Sequence, residues 1–293
     1  MKSYDFILIS QFSTLDNYQH LLESLNKADL ENISVLLLFI NQSSKEIRID
    51  QYLNHEVIII DIKKMVSLSK SRNLAIEYLL ENNFSSKYVM IPDDDCWFSE
   101  TFFRNVLDMP FQNYGINVID PYQNKSHLKF PIKEKRLMKK DFGIIMSINQ
   151  IFLYDSFIGT GFFDENLGIG SIYGGSEDSD FFCRVCDYYN FVFTPKLEIY
   201  HLLHLSKFQN VQFWRLLKMI NGYAKGLFYM AKKNNLHYTV FRTAFITPLK
   251  IPYYILKRNI KMSLIYFFNS FHNFFFFLVI LPFLKIERKI AKG

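Results

Sequence analysis

The stretch YVMIPDDDCWFSE, residues 88–100, joins an apolar run to three consecutive carboxylates. Residues 88–91 have the length and composition of a buried strand. Asp93, Asp94 and Asp95 follow directly, and neighbouring like charges repel each other unless a cation lies between them. In an extended chain, an Asp-x-Asp pair places both carboxylates on one side. The stretch therefore predicts a cation site at the end of a strand, with a solvated acidic turn as the alternative.

The segments before this stretch alternate between strand-like and helix-like patterns. Continuous apolar runs predict strands at residues 6–10, 33–40 and 57–60, and helical spacing predicts helices at residues 17–27 and 69–83. Such alternation is typical of an α/β fold with a mostly parallel sheet flanked by helices. Ligands of these sheets bind beyond the carboxyl ends of the strands, which is where the three aspartates lie.

The segments after this stretch are less regular. Residues 111–140 are polar and basic, and we interpret them as a loop-rich insertion. Residues 142–152 are predicted to return to a strand, and the glycines concentrate in residues 159–180. A helix is predicted at residues 181–189, followed by short strands at 191–193 and 199–201.

A second acidic cluster follows a glycine pair in GGSEDSD, residues 174–180. Glu177, Asp178 and Asp180 open a predicted helix, and acidic residues in a first helical turn are favoured by the helix dipole alone. The presence of two clusters, however, fits a division of roles. Carboxylates in one cluster can bind a hard divalent cation, and a carboxylate in the other can accept a proton.

Four segments, in this order and spacing, resemble one known family. They are SLSKSRNLAI (67–76), IPDDDCWF (91–98), FFDENLGIGSIYGGSEDSDFFCRV (162–185) and IYH (199–201). Over residues 4–235 the sequence resembles the inverting glycosyltransferases of family 2. The resemblance implies the GT-A fold, a Rossmann-like α/β fold that binds nucleotide-diphosphate sugars.

The resemblance also implies roles for the acidic residues. Asp178 matches the catalytic base, and Glu177 is expected to hold the acceptor. Asp95 is expected to bind a divalent metal, Mn²⁺ or Mg²⁺, and Asp93 to share that metal or contact the ribose. His201 matches the histidine that completes the metal site in many relatives, although His204 is an alternative.

The same resemblance implies a nucleotide-sugar pocket and its ligands. The residues expected in this pocket are Ser10, Asn41, Arg72, Asn73, Asp93 and Asp94. Asn41 stands where relatives often have an aspartate that contacts the base, so base recognition stays open, with a UDP-sugar favoured as donor. The expected acceptor is a glycan or a lipid-linked glycan, and the expected pathway is surface polysaccharide biosynthesis.

The composition and the C-terminal region predict where the protein acts. The formal net charge is +6 among 293 residues, yet no compact Lys/Arg block indicates nucleic-acid binding. Three cysteines are too few for a disulfide framework and favour a reducing compartment. Residues 263–284 are rich in Phe and flanked by basic residues, which predicts a helix lying on a membrane.

The predicted organisation is therefore a catalytic domain at residues 1–235 and a helical, membrane-associating region at residues 236–293. The expected location is the cytoplasmic face of the cell membrane. A buried helix or a dimer interface is the alternative for the Phe-rich segment. Two other functions stay open: nucleotidyl transfer, which also uses paired carboxylates with divalent ions, and non-catalytic sugar binding at a membrane.

Overall fold

The computed structural model describes residues 2–12, 18–43, 55–62, 64–203 and 211–276. The strands in these ranges are β1 (Lys2–Phe12), β2 (Val35–Asn41), β3 (Glu56–Asp61), β4 (Phe84–Met90), β5 (Cys96–Trp97), β6 (Asn113–Asp120), β7 (Lys125–Ser126), β8 (Lys135–Arg136), β9 (Gln150–Leu153) and β10 (Phe191–His201). The helices are α1 (Gln19–Lys27), α2 (Leu68–Glu81), α3 (Phe102–Leu107), α4 (Tyr154–Thr160), α5 (Glu177–Tyr188), α6 (Phe213–Lys233), α7 (His237–Ile246), α8 (Lys250–Leu256) and α9 (Ile260–Phe275).

A single mixed sheet organises the described chain, with the strand order β3-β2-β1-β4-β9-β6-β10-β5. The first four strands are parallel, and β6 is parallel to β10. Strand β9 lies antiparallel between β4 and β6, and β5 is antiparallel to β10. The α/β architecture predicted from the alternating segments is thereby confirmed. The carboxyl ends of β1, β2 and β4 meet at one edge of the sheet.

Two apolar layers cover the two faces of the sheet. Successive side chains of β1 alternate between them: Ile7 and Ile9 pack in the layer with α2, and Phe6 and Leu8 pack in the layer with α1 and α3. All four side chains are buried. Burying such a side chain contributes about 1.5–3 kcal/mol, so the short apolar runs fix the strands at the centre of the fold.

The structure corrects three predicted segments. The predicted loop-rich insertion contains β6, in which Tyr114, Ile116 and Val118 are buried although polar segments flank the strand. The predicted strand at residues 142–152 is mostly two 3₁₀ turns, and only its end forms β9. The two predicted short strands after α5 are one strand, β10, with a bulge between Thr194 and Glu198. Pro195 lies in that bulge, and a proline cannot donate a hydrogen bond to the sheet.

The C-terminal helices pack on α6. Ile265 of α9 is fully buried against Leu216 and Leu217, and Phe276 packs on Phe228. Helix α6 in turn contacts the glycine-rich segment: a Cβ on Gly226 would lie 2.5 Å from the carbonyl oxygen of Gly175. Across the residues placed here, no helix is both long and apolar enough to span a bilayer. Residues 277–284 of the predicted membrane segment lie outside the described ranges.

Candidate active site

The first acidic cluster lies where β4 ends. Asp93, Asp94 and Asp95 follow this strand, and the chain then forms β5, which pairs with the end of β10. In that pairing His201 lies opposite Cys96, so the imidazole reaches the aspartates. Ligand atoms of Asp93, Asp95 and His201 all lie within 4.8 Å of one another. The fold thus brings three predicted metal ligands together, whereas His204 lies outside the described residues.

The orientation of His201 suits a metal ligand. Its Nδ1 lies 2.8 Å from the carbonyl oxygen of Leu202, and its Nε2 lies 3.1 Å from Oδ1 of Asp95. Without a cation, a protonated Nε2 can donate to Asp95. With a cation between them, Nε2 would bind it through its lone pair while the Nδ1–H donates to the Leu202 carbonyl. Burial lowers the pKa of His201, but its hydrogen bond to Asp95 and the nearby carboxylate charges outweigh burial and raise the pKa overall.

The carboxylates of the three aspartates lie close together and repel one another, and a bound cation would reduce this repulsion. Burial, followed by the charges of Asp95 and Asp93, raises the pKa of Asp94 to about 7. Burial also raises the pKa of Asp93, despite the opposing charge of Arg72 and a 3.2 Å hydrogen bond from Ser147 Oγ. Two carboxylates and one imidazole are a ligand set that fits a divalent cation such as Mn²⁺ or Mg²⁺.

The second acidic cluster opens helix α5. Ser176, just before the helix, has φ +68°, a left-handed conformation that a non-glycine residue seldom adopts. Glu177 is buried, and its Oε1 lies 3.3 Å from Nη1 of Arg72. Asp178 is only half-buried, and its Oδ1 accepts a 2.7 Å hydrogen bond from the backbone N–H of Ser179. The hydrogen bond from Ser179 therefore holds the Asp178 carboxylate in place at the start of α5.

Arg72 connects the two acidic clusters. Its positive charge favours the ionised forms of Asp93, Glu177 and Asp178, and this contribution alone would lower their pKa values. Burial acts in the opposite direction and is the larger effect, so the pKa values of Glu177 and Asp178 are both raised. Within the described residues the Nε atom of Arg72 is buried without a hydrogen-bond partner. One buried guanidinium thus forms an ion pair with Glu177 and lies close enough to Asp93 to interact with its charge.

The residues predicted for the nucleotide-sugar pocket divide into two groups. Ser10, Arg72 and Asp93 line a common cavity of about 10 Å³. The Oγ atom of Ser10 is buried there without a hydrogen-bond partner among the described residues. Asn41 is buried at the end of β2, where its Nδ2 donates to Asp61 Oδ1 at 2.6 Å. These residues lie at the carboxyl ends of β1, β2 and β4 and at the start of α2.

Asn73 faces a different part of the protein. Its Oδ1 accepts a 2.8 Å hydrogen bond from the backbone N–H of Phe163, and its Nδ2 donates to the Phe163 carbonyl at 3.0 Å and to Glu165 Oε1 at 3.2 Å. The side chain of Asn73 thereby fixes the start of the glycine-rich segment. This position gives it a supporting role beside the pocket.

Sequence reasoning missed the network that fixes helix α5. Asp180 is fully buried, and its carboxylate accepts hydrogen bonds from Arg184 Nε at 3.0 Å, Lys233 Nζ at 3.0 Å and Asn234 Nδ2 at 2.9 Å. Lys233 also donates to Asp164 at 2.7 Å. The i,i+4 spacing of Asp180 and Arg184 is a signal for one of these pairs. The contacts with the end of α6 are long-range and leave no local signal.

Comparisons with known proteins identify the fold. No family profile and no curated protein matches this sequence. Among solved structures, residues 1–349 of S. aureus TarS with UDP-GlcNAc match with a TM-score of 0.52 and 14% identity, over 78% of this chain and 66% of that chain. A match to a second structure of S. aureus TarS covers 44% of that chain, so this chain spans less than two thirds of the length of these two relatives.

Two other solved structures match at similar levels. The mannosyltransferase PcManGT from Pyrobaculum calidifontis, with GDP-Man and Mn²⁺, has a TM-score of 0.54 and 12% identity, over 95% of this chain and 86% of that chain. GalNAc-T7 with UDP, GalNAc and Mn²⁺ has a TM-score of 0.50 and 11% identity, over 78% of this chain and 51% of that chain. The chain therefore has the GT-A fold, as its motifs predicted.

Proposed function

We propose that this protein is a metal-dependent, inverting glycosyltransferase that moves a sugar from a nucleotide-diphosphate sugar to a hydroxyl group. The observation that supports this most strongly is the proximity of the two carboxylate clusters, with buried Arg72 in an ion pair with Glu177 and close enough to Asp93 to interact with its charge. One cluster provides the metal ligands Asp93, Asp95 and His201. The other provides Asp178 as a base oriented by the backbone N–H of Ser179.

The transfer is a single displacement at the anomeric carbon of the donor sugar. The Asp178 carboxylate takes the proton of the acceptor hydroxyl, and the oxygen of this hydroxyl forms a bond to the anomeric carbon. The bond from that carbon to the diphosphate oxygen breaks, and the nucleoside diphosphate leaves with the electron pair. Asp93, Asp95 and His201 would hold a divalent cation, which when bound would supply Lewis-acid stabilisation to the leaving diphosphate. One displacement inverts the anomeric configuration.

The donor-side residues provide polar groups for a nucleotide. Ser10 and Arg72 each have a buried polar atom without a partner among the described residues, and both line the cavity next to Asp93. Solved neighbours of this fold contain UDP-GlcNAc or GDP-Man, which supports a nucleotide-diphosphate sugar as donor. We favour a UDP-sugar as the donor; Asn41, whose Nδ2 donates to Asp61, lies at the end of β2 at the position where the resemblance places a contact with the base. Asp94 completes this side of the pocket.

The test is release of the nucleoside diphosphate from donor sugars by the purified full-length protein. A panel of UDP- and GDP-sugars with Mn²⁺ or Mg²⁺ is expected to include one that is hydrolysed slowly without an acceptor. EDTA should stop the release, and Asp95→Ala should abolish it while the circular dichroism spectrum is unchanged. Undiminished turnover of Asp95→Ala in the presence of EDTA would refute the metal role.

We further infer that residues 236–293 attach the catalytic domain, residues 1–235, to the cytoplasmic face of a membrane. Support comes from α9, which has its apolar side outward. Seven large apolar side chains at helical spacing are exposed: Ile260, Leu264, Phe267, Phe268, Phe271, Phe274 and Phe275. We call this surface the α9 stripe. Such a row of apolar side chains on a helix is typical of one lying in a membrane interface.

The buried side of α9 supports the same inference. Asn269 is 2% exposed and Asn273 is 0% exposed, and within the described residues both have side-chain atoms that lack hydrogen-bond partners. A helix that turns amides inward and phenylalanines outward is favoured where the outside is apolar. Lys250, Lys257 and Arg258 are exposed near this helix, and each basic residue near an anionic lipid surface contributes about 1 kcal/mol. An enzyme placed there is suited to surface polysaccharide biosynthesis.

A further inference from the structure

A groove of about 940 Å³ lies between residues 169–174 and the helices α6 and α9. Trp214, Lys218 and Tyr223 line it from α6, and His272 lines it from α9. Trp214 is 73% exposed. None of the predicted metal or donor residues belongs to this groove, so it is a separate part of the molecular surface.

The charge of the groove is positive. Its lining includes Arg215, Lys218 and Lys225 and contains no acidic residue. In the part of the chain that the structure describes, none of these three side chains forms an ion pair. Basic groups next to aromatic side chains and without carboxylate partners favour an anionic ligand, such as a phosphate ester, that also has an apolar part.

One end of the groove borders the second acidic cluster. Tyr223 packs on Gly175 so closely that a Cβ at that glycine would lie 2.7 Å from the Tyr223 ring. Gly175 stands two residues before Glu177, whose charge, after burial, raises the pKa of Tyr223. This end of the groove therefore lies next to the start of α5, which carries Glu177 and Asp178.

The other end of the groove borders the α9 stripe. Phe213, next to Trp214 in α6, has its ring centroid 5.0 Å from that of Trp214 and 6.3 Å from that of Phe268. Phe268 belongs to the exposed apolar surface of α9. The basic groove thus lies between a carboxylate cluster and an apolar face.

We propose that this groove binds the phosphate or diphosphate of a lipid-linked saccharide acceptor. In this arrangement the saccharide hydroxyl lies towards Asp178, the phosphate contacts Arg215 and Lys218, and the lipid chain leaves along the α9 stripe. The assignment rests on the proposed glycosyl transfer and specifies its acceptor class. In this assignment the exposed apolar side chains of α9 contact the lipid chain of the acceptor.

The experiment is a binding titration of the full-length protein with decyl diphosphate in EDTA, which removes metal-mediated binding. The fluorescence of Trp214 is the signal, and Trp97 is the only other tryptophan. We expect a saturable change that is absent in Trp214→Phe. The double variant Arg215→Ala/Lys218→Ala should raise the Kd at least tenfold. The control Lys125→Ala/Lys133→Ala removes the same charge from exposed residues elsewhere and should bind as the wild type does.

Two results would overturn the assignment. An unchanged Kd in Arg215→Ala/Lys218→Ala would show that these side chains do not bind the diphosphate. Equal affinity for decyl maltoside, which has no charge, would show that the groove recognises only the apolar chain. Release of nucleoside diphosphate from the donor by the wild-type protein is measured separately, so failure of this assignment and failure of the proposed transfer are distinguishable.

Discussion

Asp178 is the residue on which the proposed chemistry depends. Its carboxylate is half-buried, fixed by the Ser179 N–H, and close enough to Arg72 to interact with its charge. Asp178→Asn preserves the size of the side chain and removes the proton acceptor. Loss of a positioned base costs about 10²–10⁴-fold in rate, so we expect kcat for transfer to fall by that factor.

The matching measurement is donor affinity, determined by calorimetry with UDP and Mn²⁺. Asp178→Asn should bind UDP within about threefold of the wild type, because its role is towards the acceptor. A large loss of UDP affinity would move Asp178 to the donor side. Asp108→Asn, an exposed residue outside the site, is the control for a change in net charge.

The aspartate triplet makes stability depend on pH. Burial and the neighbouring Asp95 and Asp93 charges raise the pKa of Asp94 to about 7, against an unfolded value of about 3.9. Because the folded state holds the Asp94 proton more tightly than the unfolded chain does, this proton stabilises the folded state. The stabilisation is fully present below about pH 4 and is lost as the pH rises through about 7. In EDTA, the Tm should therefore fall between pH 5 and pH 8.

Asp94→Asn should reduce this fall, and Mn²⁺ should also reduce it in the wild type because the cation neutralises the carboxylates. The expected differences are a few degrees, since about 1 kcal/mol changes Tm by roughly 2–4 °C in a domain of this size. Scanning calorimetry across this pH range checks both. A wild-type Tm that rises from pH 5 to pH 8 in EDTA would contradict the predicted direction.

At the scale of secondary structure, helix α6 positions the acidic start of α5. Gly226 of α6 approaches Gly175 so closely that a Cβ would lie 2.5 Å from the Gly175 carbonyl oxygen, and Gly222 is in van der Waals contact with Gly174. The buried Lys233 at the end of α6 bonds to Asp164 and Asp180. The glycine-rich segment between these anchors includes Ser176 in its left-handed conformation and leads directly into Glu177. The C-terminal half of α6 therefore supports the segment that carries the carboxylates.

Gly226→Ala tests this support. A Cβ there would lie 2.5 Å from the Gly175 carbonyl oxygen, and overpacking of this kind costs about 1–3 kcal/mol. We expect a lower Tm together with a lower kcat, because the displaced segment contains the residues before Asp178. Gly143→Ala is the matched control, since its Cβ would meet nothing within 4 Å. If Gly226→Ala kept wild-type Tm and kcat, α6 would not position the site.

At the scale of the whole molecule, the charge and the outward-facing apolar side of α9 predict binding to anionic membranes. Vesicles containing phosphatidylglycerol should bind the full-length protein in a flotation assay. Phe267→Ser/Phe271→Ser should weaken binding at least tenfold, since burying each such side chain contributes about 1.5–3 kcal/mol. Both positions are exposed, so the fold should persist.

The control for the membrane prediction is Tyr122→Ser/Ile132→Ser, which removes exposed apolar side chains outside the C-terminal helices. Vesicle binding of this variant should equal that of the wild type. If Phe267→Ser/Phe271→Ser floats as well as the wild type, the α9 stripe does not bind the membrane. Light scattering of the same variant then tests the alternative: a change in oligomeric state would indicate that the stripe contacts a second copy of this chain.

The sequence by itself determined the α/β fold and the positions of the two acidic clusters along the chain, because both features leave local signals. Apolar runs of strand length identify β1, β2 and β4, and carboxylates at the end of β4 and the start of α5 stand out within a few residues. The same local reading missed β6, because a strand between polar segments differs little from a loop until its partners β9 and β10 bury its side chains.

Only the tertiary structure decided which distant groups meet. The pairing of β5 with β10 brings His201 to Asp95, 106 positions earlier in the numbering, and Arg72 reaches across 105 positions to Glu177. The tertiary structure also places Asn73 against the Phe163 backbone and forms the basic groove between α6 and α9. Such contacts depend on strand order and helix packing, which are set by burial over the whole chain, so no short stretch of sequence contains them.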